Sequence, residues 1–191
     1  MQGLLLPVGE ADGRRGACEI ASCLYKWLTT IDTLKLAKTV ILYCDCCSGQ
    51  NRNRVVVAML RYALINCDFI ETIHLKFLLP GHTYMPADSI HATVLLHFVR
   101  KRVVRALSEW TIILRSTRTD PELYIVVTVS IDNFLQRAQI QRAILPTSWR
   151  SETDHQRIRW KVRTVAMTKT SAKFEIQYSL IEDAESHKFC L

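Results

Sequence analysis

The stretch that decides the fold runs Thr39-Val-Ile-Leu-Tyr-Cys44, then Asp45-Cys-Cys-Ser-Gly-Gln-Asn51, then a segment reaching Leu79. The first six residues are a nearly continuous apolar run, the pattern of a strand buried on both faces of a parallel sheet. The next seven are a polar, glycine-containing turn. Val55, Met59 and Tyr62 recur at helical spacing and predict a helix over residues 51–65. Ile73, Leu75, Phe77 and Leu79 alternate with Thr72, His74 and Lys76, which is strand period. Strand, helix and strand over this length predict a βαβ unit with adjacent parallel strands.

Working outward, residues 1–16 are rich in glycine and proline and read as a loop after a lost or very short strand. Residues 17–30 predict a helix, with Ile20, Leu24, Trp27 and Leu28 on one face. Pro80-Gly81 ends the second strand. A long helix is expected over 89–109, capped by Asp88 or Ser89, apolar and buried in its first half and basic in its second. Residues 123–129 suggest another strand, and 132–143 a helix. Residues 158–165 and 173–180 suggest a hairpin turning through Thr168–Ser171. The fold class expected is α/β. Residues 1–120 would form the core, and residues 121–191 a carboxy-terminal extension of strand, helix and hairpin.

Composition narrows the function. Of 191 residues, 49% are hydrophobic and 23% charged, values of a folded domain. Lysine and arginine number 25 against 18 acidic residues, a formal charge of +7. The excess is clustered. Arg100, Lys101, Arg102 and Arg105 form one group, and Arg157, Arg159, Lys161 and Arg163 another. Clustered positive charge favours a polyanion, and DNA is the expected partner, bound weakly and in a salt-dependent way. Trp149 and Trp160 could stack on bases, although core packing suits them better. The 7 cysteines are an odd number and suggest no disulfide framework. No signal peptide is evident, and no apolar run approaches the roughly 20 residues of a membrane helix. The expected setting is nucleus or cytoplasm, without secretion or membrane partnership.

Two carboxylates stand where chemistry collects in open α/β sheets, beyond the carboxyl ends of strands. Asp45 follows the first strand of the βαβ unit. Asp88 follows the second, and on adjacent parallel strands the two would share one sheet edge. Oxygen ligands there suit Mg²⁺ or Mn²⁺. His82 would border the same pocket, to orient substrate or move a proton. Zinc is not expected, because Cys44, Cys46 and Cys47 lack the usual paired spacing.

The words Cys44-Asp-Cys-Cys-Ser-Gly-Gln-Asn-Arg-Asn53, Leu75-Lys-Phe77, Gly81-His-Thr83 and Asp88-Ser-Ile-His-Ala-Thr93 together resemble an uncharacterised transposon-associated domain of animal genomes. Arg15-Gly-Ala-Cys-Glu-Ile-Ala-Ser-Cys-Leu24 and Ile158-Arg-Trp160 extend the likeness from about residue 10 to the end. That domain is similar to the acidic-triad transposases and integrases of ribonuclease H-like fold. The resemblance implies that Asp45 matches the second acidic residue, Asp88 a third, and Gln50, Asn51 and Asn53 the polar turn beside the substrate. It implies metal-assisted attack on a phosphodiester. It also implies departures. The first aspartate would lie on a strand upstream of this chain, so a partial, amino-terminally truncated fold is expected. Leu95 stands where a glutamate is usual. The expectation is a degenerate transposase-like or nuclease-like domain, inactive as this chain. The alternative is a non-catalytic module binding nucleic acid or protein. The absent first strand would leave the edge of Thr39–Cys44 exposed, open to homo-association unless residues 1–8 fold back onto it.

Overall fold

The computed structural model describes residues 4–8, 16–47, 49–78, 85–100, 104, 106–117, 124–129, 134, 162–169, 174–179 and 187–190. It is a mixed α/β structure whose elements, in chain order, are β1 (Leu4–Leu5), α1 (Ala17–Thr33), β2 (Thr39–Cys44), α2 (Arg54–Asn66), β3 (Thr72–Phe77), α3 (Pro86–Arg100), α4 (Leu107–Ser116), β4 (Ile125–Val126), β5 (Thr164–Lys169), β6 (Phe174–Ser179) and β7 (His187–Cys190). The chain divides into two units, each assembled from separate segments. One comprises Arg15–Thr83 with Phe134–Leu191, the other Met1–Arg14 with Tyr84–Asn133. The linear division expected near residue 120 is therefore corrected. Strand pairing across the sequence, rather than chain order, groups the elements.

The first unit holds a five-stranded sheet in the order β2-β3-β5-β6-β7. β2 and β3 pair in parallel, with Val40 opposite Ile73 and Leu42 opposite Leu75, as the βαβ reading requires. β5 then pairs antiparallel to β3, Ile73 facing Met167 and Leu75 facing Val165. β5 and β6 form the expected antiparallel hairpin, although β5 begins later than its sequence pattern suggests. The hairpin is no appendage, because it continues the central sheet. β7, which the sequence reading did not find, pairs with β6.

Alternation along the strands explains the core. Ile73, Leu75 and Phe77 of β3 and Val165 and Met167 of β5 are buried with Val40 of β2. They join Met59, Leu60, Ala63 and Leu64 of α2 and Ala21 and Leu28 of α1 in one cluster. α2 contacts α1, β3 and β5, which is why its buried residues extend well beyond a single stripe. Tyr25 of α1 meets Tyr62 of α2 at 5.3 Å between ring centroids. β2 departs from expectation. Val40, Leu42 and Cys44 face the core, whereas Ile41 and Tyr43 are 50% and 53% exposed, so the strand is not buried on both faces. It forms one edge of the sheet, and its outer side pairs with no strand among the described residues.

α1 stops through backbone geometry. Lys35 takes a left-handed conformation at φ 52°, and its N–H reaches Asp32 O at 2.9 Å while Leu36 N reaches Ile31 O at 3.0 Å. These two bonds close the last turn in the Schellman manner.

In the second unit, β1 and β4 pair in parallel, Leu4 opposite Ile125, extended by a bridge from Val8 to Val129. The amino terminus thus pairs with β4 and does not serve as a substitute neighbour for β2. The long helix expected over 89–109 is two helices, α3 and α4, since Ala106 adopts an extended conformation and starts a new helix. Nor is the first half of the expected helix buried throughout, with Leu95 and Leu96 at 59% and 68% exposure. Leu114, Tyr124 and Val126 form a small core joined by Leu5, Ile90 and Val94. Phe98 stacks on Trp110 at 4.8 Å. The helix expected over 132–143 lies outside the described residues, apart from Phe134. Among the described residues no helix is long and apolar enough to cross a membrane.

Candidate functional site

The carboxyl ends of β2 and β3 carry the densest group of polar side chains predicted from sequence. β2 delivers Asp45 directly after Cys44, and the loop that follows folds back on it. Asn51 Nδ2 donates a short hydrogen bond to Asp45 Oδ1, and the Cys47 N–H donates to the same oxygen at 3.3 Å. The second contact is the local side-chain-to-backbone turn that aspartate favours. Cys47 O accepts from the N–H groups of Gln50, Asn51 and Arg52 at 3.2, 2.8 and 2.9 Å, which tightens the loop.

Asn53 ends the loop and starts α2. Its Oδ1 accepts from Val55 N at 3.0 Å and Val56 N at 3.1 Å, while its Nδ2 donates to Gln50 O at 3.1 Å. It is therefore an N-cap as well as a turn residue. Asn53→Ala is expected to cost about 1 kcal/mol, read by urea denaturation, with Asn53→Ser recovering most of it. Equal losses from both variants would assign Asn53 a role beyond capping.

The cysteines of this loop are structural. Cys46 Sγ donates to Leu78 O at 3.0 Å and receives Arg163 Nη1 at 3.6 Å. Cys44 packs against the core, and burial, with lesser contributions from Asp45 and Cys46, pushes its thiol up to about 12. A thiol of that kind is protonated at neutral pH and is a poor nucleophile. Cys44, Cys46 and Cys47 are all free.

Basic residues surround the same end of the sheet. The Arg52 guanidinium lies 5.7 Å from the Phe77 ring centroid, and its Nε is buried with no hydrogen-bond partner among the described residues. Lys76 Nζ lies 5.8 Å from the ring centroid of Tyr43, its opposite number on β2. Arg54 opens α2 and is exposed. Arg163 is held at the end of β3, where its carbonyl accepts from Phe77 N at 2.8 Å. Sequence reading singled out Arg163 but passed over Arg52, Arg54 and Lys76. The signal was present, since Arg52 sits inside the Asp45 motif and Arg54 directly follows it.

Asp88 belongs to the other unit. Pro86 opens α3, and Asp88 Oδ2 accepts from Met85 N at 2.7 Å while Asp88 N donates to Met85 O at 2.9 Å. This is the reach-back of an acidic residue in a helix first turn, with proline at the position that needs no N–H. Asp88 therefore does not cap through its own position, as expected, but from two residues inside the helix. Neither unit by itself contains the pair Asp45 and Asp88. His82, Lys101, Arg102, Arg105, Arg157, Arg159, Lys161 and the side chain of Arg100 lie outside the described residues, as do Trp149 and Trp160.

The fit to Mg²⁺ is poor. No group of three or more histidine, cysteine, aspartate or glutamate residues able to hold a metal occurs among the described residues. Asp45 is the single carboxylate of its loop, and one of its oxygens already accepts two protein donors. A hard cation wants several oxygen ligands, and Asp45 by itself does not supply them.

Comparison with curated proteins and with solved structures gives no match. The family model for a domain of unknown function, DUF7869, matches residues 17–173, which takes in α1, the whole βαβ unit and β5. By that match, covering most of its 191 residues, the chain belongs to the DUF7869 family.

Proposed function

We propose that this chain is a transposase-like domain of ribonuclease H-like ancestry that binds the backbone of nucleic acid and does not cut it. The observation that carries the reading is the loop after β2. It has an acidic residue where a catalytic carboxylate belongs, tied into the loop by Asn51 and Cys47, and the same end of the sheet carries Arg52 over Phe77, Lys76 over Tyr43 and Arg163 beside Cys46. A nuclease centre concentrates carboxylates around cations. This end of the sheet carries one carboxylate and several basic side chains, which suits phosphate. The parallel pair β2 and β3, joined through α2 and ending at Asp45, supports the ribonuclease H-like ancestry. The free Nε of Arg52 supports an anion as the missing partner.

The test is a titration of fluorescent duplex and single-stranded DNA over a range of salt. Binding should weaken steeply with salt, and Arg52→Ala with Lys76→Ala should each reduce the slope by about 1. With Mg²⁺ or Mn²⁺ present the DNA should stay intact. Cleavage that Asp45→Asn abolishes would replace this reading with an enzymatic one. Salt-independent or absent binding would remove it.

A further inference from the structure

The outer edge of β2 presents backbone groups that pair with no strand among the described residues. Lys38 O accepts from Glu71 N and Thr72 N at 2.8 and 3.0 Å, and Cys44 O from Leu78 N at 2.9 Å. The even-numbered residues of this strand therefore turn their backbone groups toward β3. Alternation sends the N–H and C=O of Thr39, Ile41 and Tyr43 outward, where no strand among the described residues meets them. Such a row of free donors and acceptors is a template for another strand. β7 forms the opposite edge of the same sheet, and β1 and β4 pair with each other in the other unit.

We propose that the edge is filled by a second copy of this chain, whose β2 pairs antiparallel with it about a two-fold axis at Ile41. In that register Ile41 faces Ile41 of the copy and Thr39 faces Tyr43, so every outward backbone group finds a partner of the right kind. The half-exposed Ile41 and Tyr43 side chains come together on one face of the joined sheet. Lys38 at the leading end of β2 is already paired with Glu71 at 2.6 Å, but Lys35 is exposed there, and antiparallel pairing brings it toward Asp45 of the copy.

The test is sedimentation of the full chain over a wide concentration range, with hydrogen exchange read at single amides. A dimer that grows with concentration is expected, with the Ile41 and Tyr43 amides protected in the dimer. Ile41→Lys with Tyr43→Lys should weaken association by at least about tenfold, because the added charges meet across the seam. Ile41→Pro removes only an outward N–H and should do the same. Val40 and Leu42 amides, which face β3, should stay protected in these variants and so report an intact fold. A chain that stays monomeric at every concentration would overturn the proposal. So would a dimer indifferent to these substitutions, or outward amides already protected in a dilute monomer.

Discussion

Leu60→Ala is expected to lower the unfolding free energy by about 2–5 kcal/mol, the range for removing a large aliphatic side chain from a closed core. Leu60 is fully buried in the cluster that joins α1, α2 and the sheet. Its neighbours Met59, Ala63 and Leu64 are equally inaccessible, so water has no route to fill the space left behind. A loss of this size is a large part of the roughly 5–15 kcal/mol that holds a typical domain together. The measurement is urea denaturation followed by circular dichroism. The midpoint should fall by about 1 M or more, with an unchanged dependence on urea. A loss under about 1 kcal/mol would mean that the helical layer is not closed over β3 and β5. Leu96→Ala supplies the contrast, since Leu96 is 68% exposed and its removal should change stability by less than about 0.5 kcal/mol.

The second large effect belongs to Asp32, which the sequence alone would leave as an ordinary surface carboxylate. It sits at the end of α1, where its two oxygens accept the N–H groups of Asp68, Phe69 and Ile70 at 2.9, 2.7 and 2.8 Å. Those are the residues that lead from α2 into β3, so one side chain ties the first helix to the second strand of the βαβ unit. Partial burial opposes ionisation, but the three donors and nearby Lys169 outweigh it and hold the carboxyl below its ordinary value. Each charged hydrogen bond contributes about 1.5–3 kcal/mol in favourable cases, and water screens a half-buried group. Asp32→Ala is therefore expected to cost about 2–4 kcal/mol, less than the sum of three bonds.

The direction of the Asp32 shift sets a pH dependence. A carboxyl depressed in the folded state contributes fully above its unfolded value of about 3.9, and its contribution fades as pH falls through the folded value below that. The stability gap between the native chain and Asp32→Asn should be constant near neutrality and narrow below about pH 4. Paired urea titrations at pH 7 and pH 3 would read it. A gap that widened in acid would show that the charge on Asp32 is not what secures the loop.

The local elements were legible because side-chain periodicity is a local property. Ile73, Leu75 and Phe77 alternate, Val55, Met59 and Tyr62 recur at helical spacing, Val40 to Cys44 form an apolar run, and β2, α2 and β3 emerge close to their predicted bounds. The loop motif was legible for a similar reason. Asn51 reaches Asp45 and Asn53 caps α2 across only a few residues, so chain geometry alone brings them together.

What tertiary structure decided is everything that depends on which surfaces meet. Alternation shows that one face of a strand is apolar but does not name its neighbour, so the pairing of Thr72 with Thr168 across nearly a hundred residues could not be read. The apolar run of β2 looked doubly buried because Ile41 and Tyr43 are apolar, yet an edge position leaves both half exposed. Asp88 looked like a partner for Asp45 because it follows the next strand. It belongs to a separate unit, where its carboxylate accepts from the Met85 N–H at the start of α3. The sequence by itself determined a parallel βαβ unit with an acidic loop at its carboxyl end, since residues within one turn or one strand dictate those features. Tertiary structure alone decided the edge position of β2, the approach of Arg163 to the loop after β2 and the assignment of Asp88 to the other unit, because each depends on contacts between segments that local pattern does not relate.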